Sequence, residues 1–275
     1  KALFTAGVPL KIADDGLEEY IFNRFVAGKN TLYQNIKKVL PGYVMTVQQN
    51  GKVIQEKWWD LKSEIQKHPQ ITNPVEWFRE TFDDSVKLRM VSDVPVGVLL
   101  SGGIDSSSIL ASLYRQNYKN IENFNVGFKE EEHNESHLAK MMSEKLDYSF
   151  QTMKLEGENL YKSLLSSTYF QDEPIMHLSE PHLLALSQKA NTSVKVLLSG
   201  EGADELMGGY VRYKALQYPS LLSSIATIGN LDLFSKKPRY EKLVRYAQMS
   251  EKSDLVLFNS SNIFPNDIEK TFGIH

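Results

Sequence analysis

The chain has 275 residues, of which 41% are hydrophobic and 24% are charged. This is enough apolar content for the core of one large α/β domain, or of a main domain with an appendage. The formal net charge of -3 gives no reason to expect nucleic acid or an anionic membrane as the main partner. The sequence contains no cysteine, which excludes disulfides, cysteine-ligated zinc and a cysteine nucleophile within these residues.

We expect no targeting signal at the beginning of the chain. Its apolar stretch is too short for a signal peptide, and no apolar run approaches the roughly 20 residues of a membrane span. The first residue is Lys1 rather than Met. We therefore expect a soluble, cytoplasmic piece of a longer protein.

The first elements in chain order are a hairpin and a helix. Residues 43–48 and 52–58 alternate between apolar and other side chains, and Asn50-Gly51 lies between them. An Asn-Gly pair in this setting is the strongest short signal for a β-hairpin. A helix is then predicted from about Asn73, with Pro74 in its first turn.

From Val94 onward, apolar runs typical of buried strands alternate with helical patterns. Strands are predicted at 96–100, 123–128, 150–155 and 194–198, and helices at 106–116, 135–146, 159–170 and 180–190. This alternation predicts an α/β fold with a doubly wound, mostly parallel sheet, which binds ligands beyond the carboxyl ends of its strands. After about Tyr218 the pattern predicts helices and loops without recognisable chemistry.

The first predicted strand of that sheet runs into Ser-Gly-Gly-Ile-Asp-Ser, residues 101–106. Gly102 and Gly103 permit a tight turn and a close approach by a ligand. The N–H groups at the following helix start suit a phosphate-like anion, and so do the hydroxyls of Ser101, Ser106 and Ser107. Asp105 beside a phosphate implies Mg²⁺ between them. A plain turn before a capped helix is the alternative, and it explains the glycines better than it explains the whole string.

The loop differs from other nucleotide-binding loops because no G-x-x-x-x-G-K-[ST] string occurs in the chain. Without a lysine, the loop would hold pyrophosphate through N–H groups and hydroxyls. That arrangement suits cleavage of ATP between its α- and β-phosphates.

A second turn of the same kind follows the last predicted strand, in the string LLSGEGADELMGGY at residues 197–210. Ser199 and Gly200 repeat the Ser-Gly pair, and Glu201 and Asp204 come directly after it. One carboxylate could hold Mg²⁺ opposite Asp105, while the other moves a proton or orients an amine. The alternative is that these acids only favour a helix N-terminus.

The Ser-Gly-Gly-Ile-Asp-Ser turn resembles the pyrophosphate loop of the N-type ATP pyrophosphatases. The second string is similar to a segment of the glutamine-hydrolysing asparagine synthetase family and its β-lactam synthetase relatives. Residues 31–47 resemble the segment that closes the family's glutaminase domain, and the likeness extends to about Tyr213. It implies a glutaminase-domain remnant and linker at 1–61. A truncated ATP-pyrophosphatase synthetase domain, ending in a helical part, would then occupy 62–275.

The resemblance also implies site residues. ATP and its pyrophosphate would be held by Leu100, Ser101, Gly102, Gly103, Asp105 and Ser106. The adenine would lie against Val126, Ser199 and Gly200. Asp105 and Asp204 would bind Mg²⁺, and Glu201 would be the catalytic carboxylate near the acceptor.

The implied reaction is ATP-dependent amidation of a carboxylate, most directly aspartate to asparagine. It proceeds through an acyl-adenylate, releases AMP and pyrophosphate, and uses ammonia from glutamine. The partners are then small molecules and a glutaminase domain in the parent chain, a homodimer is possible, and no nucleic acid or membrane is expected.

The chain departs from the family pattern at several points. It lacks the N-terminal cysteine of the glutaminase, and no downstream motif with the pyrophosphate lysine is recognisable. Lys236 and Lys237 are a candidate substitute, but we interpret their segment as a solvated loop. Asn134 stands where the family usually has Asp, and His177 lies in a segment with an Asp in many relatives. A β-lactam- or macrolactam-forming ligase and a catalytically incomplete ATP-binding module therefore stay open as alternatives.

Overall fold

The computed structural model describes residues 1–67, 70–127, 135–154, 157–175, 177, 179–210 and 213. These residues belong to two compact units, one within 1–68 and from 208 onward, the other within 69–207. The predicted helical part after Tyr218, the two lysines at 236 and 237, and Asn134 lie outside the described residues. The predicted domain boundary at residue 61 stays a prediction.

The described strands are β1 Tyr43–Val47, β2 Val53–Lys57, β3 Val96–Leu99, β4 Glu122–Gly127, β5 Ser149–Lys154 and β6 Val196–Leu198. The described helices are α1 Ala2–Thr5, α2 Asp14–Asn23, α3 Leu61–Lys67, α4 Pro74–Arg89, α5 Ile104–Arg115, α6 Ser136–Lys145, α7 Gly157–Gln171, α8 Glu180–Ala190 and α9 Ala203–Met207. Within this part of the chain, no helix has the length and apolarity that crossing a bilayer requires.

The first unit contains the predicted hairpin. Strands β1 and β2 pair antiparallel, with Val47 opposite Val53. Gly51 has a φ of +80°, a left-handed conformation that glycine adopts without steric cost. The hairpin predicted from Asn50-Gly51 is therefore confirmed.

The second unit contains a four-stranded parallel sheet in the order β5-β4-β3-β6. The chain passes from β3 outward through β4 to β5, and then returns to place β6 on the other side of β3. The strand order thus reverses between β3 and β6. In open α/β sheets the ligand crevice lies at such a reversal, beyond the carboxyl ends of the strands.

Helices cover both faces of this sheet, which confirms the predicted doubly wound α/β class. On one face, Val98 and Leu100 pack in a buried cluster with residues of α4, α5 and α6. On the other, Phe124 of β4 packs against Leu186 and Ala190 of α8. Val98 and Phe124 are fully buried, and burying such a side chain contributes about 1.5–3 kcal/mol.

Helix α4 begins where the sequence predicts. Asn73 is its N-cap, and the side-chain oxygen of Asn73 accepts a hydrogen bond from the N–H of Glu76 at 3.4 Å. The Asn73 amide in turn donates to the Glu76 carboxylate at 2.7 Å. Pro74 fills the first helical position, where the missing N–H has no intrahelical partner to lose.

An aspartate of α4 fastens this helix to α5. The Asp83 carboxylate accepts hydrogen bonds from the Ser112 hydroxyl and the Arg115 guanidinium, both at 2.5 Å. Burial opposes ionisation of Asp83, but these two donors outweigh it and hold the pKa of the carboxyl below its ordinary value. The ionised carboxylate therefore stabilises the fold above its ordinary pKa, and this stabilisation is lost as the pH falls through the lowered pKa.

We expect Asp83→Asn to lower the free energy of unfolding at pH 7 by about 1–2 kcal/mol, because the charged acceptor for Ser112 and Arg115 is removed. The difference from the wild type should shrink as the pH is lowered from 5 to 3. Urea unfolding at each pH measures it. Asp84→Asn, at the exposed neighbouring position, is the control, and an equal loss in both variants would contradict the assignment.

Candidate functional site at the carboxyl edge of the sheet

Two serine hydroxyls close the turn that follows β3. The N–H of Ser101 donates to Oγ of Ser106 at 3.2 Å, and the two serine Oγ atoms lie 3.0 Å apart. The N–H of Gly103 donates to Oγ of Ser101 at 3.2 Å. Ser106 is only 4% exposed, so its hydroxyl supports the loop from inside, and its contact with a phosphate stays a prediction.

The start of α5 is built without a side-chain cap. Gly103 is the N-cap residue, and no side chain bonds to the first-turn N–H groups from that position. Ile104, the first helical residue, is 81% exposed, so the helix start lies at the surface. Uncapped first-turn N–H groups at the positive end of a helix suit an external anion.

Gly102 seats this turn against the start of α6. Its φ is +96°, and a Cβ atom added there would lie 2.6 Å from the backbone oxygen of Glu135. Both facts require glycine, since L-residues rarely adopt this φ and no real Cβ comes so close to an oxygen. The predicted need for glycine in the turn therefore has two physical causes at Gly102.

The second Ser-Gly turn touches the first. Ser199 and Gly200 follow β6, and a Cβ added to Gly200 would lie 2.7 Å from the backbone N of Ser106. It would also lie 3.0 Å from Cβ of Asp105. The two turns that the sequence singles out thus meet at the first turn of α5, at the reversal point of the strand order.

The predicted acidic residues are distributed around this meeting point. Asp105 lies in the first turn of α5 and Asp204 in the first turn of α9, both partly buried, while Glu201 is exposed in the turn between β6 and α9. Among the residues that the structure describes, no group of three or more His, Asp or Glu side chains could hold a metal ion. Mg²⁺ commonly takes only one or two carboxylates and completes its shell with phosphate oxygens and waters. Two carboxylates, Asp105 and Asp204, match that number of protein ligands, and a Mg²⁺ site on them stays a prediction.

The other predicted positions lie around the same edge. Val126 is near the carboxyl end of β4 and packs, partly buried, on the cluster around Phe124, so its adenine contact stays a prediction. His177 is exposed just before α8, and its carbonyl accepts from the N–H of Glu180 at 3.2 Å. Because α8 leads back to the start of β6, its beginning belongs at the carboxyl edge.

The sequence reasoning missed Asn125, a buried polar residue of β4 that bonds to Leu100 at the end of β3. One signal was present. Asn123 and Asn125 alternate with the apolar residues Phe124 and Val126 in a largely buried strand. Polar side chains on a buried face need partners inside the fold, and one partner here is the carbonyl of Leu100, directly before the turn at residues 101–106.

The chain has an α/β fold in which two Ser-Gly turns meet at the reversal point of a parallel sheet. The asparagine synthase family model matches residues 77–263, more than half of the chain. The chain therefore belongs to the asparagine synthase family.

Several curated proteins are similar in sequence. The glutamine-hydrolyzing asparagine synthetase 1 of Bacillus subtilis (strain 168) is 32% identical over 216 residues, which cover 78% of this chain and 34% of that protein. Amidase chry2 of Gibberella zeae is 29% identical, with 67% of this chain and 30% of that protein covered. Amidase chyE of Penicillium rubens is 28% identical, with 82% and 37% covered. The chain thus spans about a third of the length of these relatives.

We expect Gly102→Ala to destabilise the protein by about 2–4 kcal/mol, because the added methyl combines an unfavourable φ with overlap on Glu135. Gly103→Ala is the matched control. Its φ is -71°, and an added Cβ would lie 3.4 Å from Oγ of Ser101, so we expect a loss below about 1 kcal/mol. Urea unfolding of both variants measures the difference. Equal losses of unfolding free energy would show that the close contact between Gly102 and Glu135 does not require glycine.

Proposed function

We propose that the protein binds ATP with Mg²⁺ across the two Ser-Gly turns and uses it to convert a carboxylate into an amide. The observation that carries the proposal is the contact of Gly200 with Asp105 and Ser106, because it joins both turns into one site. Membership of the asparagine synthase family and the uncapped start of α5 support it.

In the first step, an oxygen of the acceptor carboxylate attacks the α-phosphorus of ATP. The bond from that phosphorus to the bridging oxygen breaks, and pyrophosphate leaves with the electron pair. The N–H groups of the first turn of α5 face the growing negative charge on the leaving group. Asp105 and Asp204 would hold the Mg²⁺ that neutralises the phosphate oxygens.

In the second step, an amine attacks the carbonyl carbon of the acyl-adenylate. The bond between that carbon and the AMP oxygen breaks, AMP leaves, and the amine nitrogen must lose a proton. Glu201 is exposed beside Gly200, and a carboxylate at that position can accept the proton.

The name of one relative supports a choice of acceptor and of amine source. The Bacillus subtilis relative is named a glutamine-hydrolyzing asparagine synthetase, so we propose aspartate as the acceptor and ammonia from a glutaminase domain of the parent chain as the amine. A cytoplasmic location and a homodimeric assembly belong to the same proposal.

A lactam-forming ligase is the second candidate. His177 lies before α8 at the same edge as the two turns, and a histidine there favours an acceptor other than aspartate. Such an enzyme would use the same ATP site with an amine of the substrate itself. A panel of acids, assayed for acid-dependent AMP release with and without ammonium, separates the two functions.

We expect isothermal titration with the ATP analogue AMPCPP to show binding that depends on Mg²⁺. Asp105→Asn should weaken the affinity at least about tenfold, equivalent to about 1.4 kcal/mol. Asp93→Asn, at an exposed position ahead of β3, is the control with unchanged affinity. Binding of equal strength with and without Mg²⁺, or in the Asp105 variant, would overturn the proposed metal site.

We expect Glu201→Gln to separate the two steps. The variant should keep acid-dependent exchange of pyrophosphate into ATP within about threefold, and lose amide formation from ammonium by about 100-fold, since only the second step needs the base. Radiolabelled pyrophosphate measures the first step and mass spectrometry the second. Amide formation at the wild-type rate would remove Glu201 from the mechanism.

A further inference from the structure

We propose that Asn125 is a positioning residue that fixes the shape of the loop at residues 101–106. The inference rests on the proposed function, because it gives that loop the task of gripping the pyrophosphate of ATP. Asn125 itself lies in β4, outside the two turns.

The side-chain amide of Asn125 joins two elements. It is 3% exposed, and its Nδ2 donates to the carbonyl oxygen of Leu100 at 2.7 Å. Its Oδ1 accepts from the hydroxyl of Ser136 at 2.5 Å. Leu100 is the residue after β3, and Ser136 is the first residue of α6, so one buried amide connects the end of β3 to the start of α6.

The bond to Leu100 controls the loop because a peptide unit is planar. The carbonyl of Leu100 and the N–H of Ser101 belong to the same rigid plane. Asn125 holds the oxygen side of that plane, and Oγ of Ser106 accepts from its N–H side at 3.2 Å. Without Asn125, the plane can rotate and carry the Ser101 N–H away from Ser106, which opens the loop.

The start of α6 reaches the loop by a second contact. A Cβ on Gly102 would meet the backbone oxygen of Glu135 at 2.6 Å, so the two backbones are in close contact there. Two contacts thus fix the loop to the start of α6. One runs through the Asn125 amide and Ser136, and the other is the close approach of Gly102 to Glu135. The position of α6 therefore sets the position of the pyrophosphate loop.

Asn123 supplies a matched control on the same strand. It lies two residues earlier on the same face, is fully buried, and donates from Nδ2 to the hydroxyl of Ser143 at 2.6 Å. Ser143 is near the other end of α6. Asn123→Ala thus removes a comparable hydrogen bond between β4 and α6 at a distance from the loop.

The test compares Asn125→Ala, Asn123→Ala and Ser136→Ala in two measurements. The first is hydrogen–deuterium exchange of the loop amides without nucleotide. We expect exchange at Ser101 and Gly103 to accelerate at least about tenfold in Asn125→Ala, less in Ser136→Ala, and less than about twofold in Asn123→Ala. The second is the Kd of AMPCPP with Mg²⁺, expected to rise about tenfold in Asn125→Ala only.

A conservative variant keeps the test decisive if Asn125→Ala folds poorly. In Asn125→Asp, an ionised carboxylate cannot donate to Leu100, whereas the protonated acid can. Slower loop exchange in this variant at pH 4 than at pH 8, after correction for intrinsic exchange rates, supports the role of the donated hydrogen bond, since this range spans the ordinary pKa of an aspartate and a rise caused by burial. A wild type that binds no AMPCPP overturns the proposed function, while loop exchange still decides the role of Asn125. Equal effects of the two asparagine variants on loop exchange would overturn that role.

Discussion

The candidate site depends on the close approach of one backbone to another, where Gly200 lies against the first turn of α5. A side chain at that position would push β6 and its turn away from Ser106. With glycine there, the two strand ends on either side of the reversal point share one surface. Asp105 is thereby placed beside the turn that carries Glu201, although the two are 96 positions apart in the sequence.

The loop at 101–106 uses its own polar groups to hold its shape. The hydroxyls of Ser101 and Ser106 bond within the turn, so the turn keeps its backbone conformation without a ligand. Preorganised N–H donors cost little reorganisation when charge develops near them. The buried amide of Asn125 extends this support to β4 and α6, and the site thus rests on regular elements rather than on the loop alone.

Local signals in the sequence predicted much of the fold. Asn50-Gly51 predicted the hairpin, and Asn73-Pro74 predicted the start of α4. The alternation of apolar runs with helical patterns predicted the parallel sheet. The Ser-Gly strings located both turns at strand ends. Side-chain contacts that depend on how the elements pack could not be predicted, because no short sequence pattern encodes them. The bridge from Asp83 to α5, the inward orientation of Ser106 and the reach of Asn125 to Leu100 are all of this kind.

The strand order influences the order in which the strand pairs form during folding. Strand β3 pairs with β4 across about 25 residues of chain, but with β6 across about 100. Loop closure is entropically more costly for the longer separation, and contacts distant in sequence form more slowly. We therefore expect the β3–β6 pair to form late. The crevice at the sheet edge would then be among the last features to mature, so a newly made chain acquires most of its core before it can recognise a ligand.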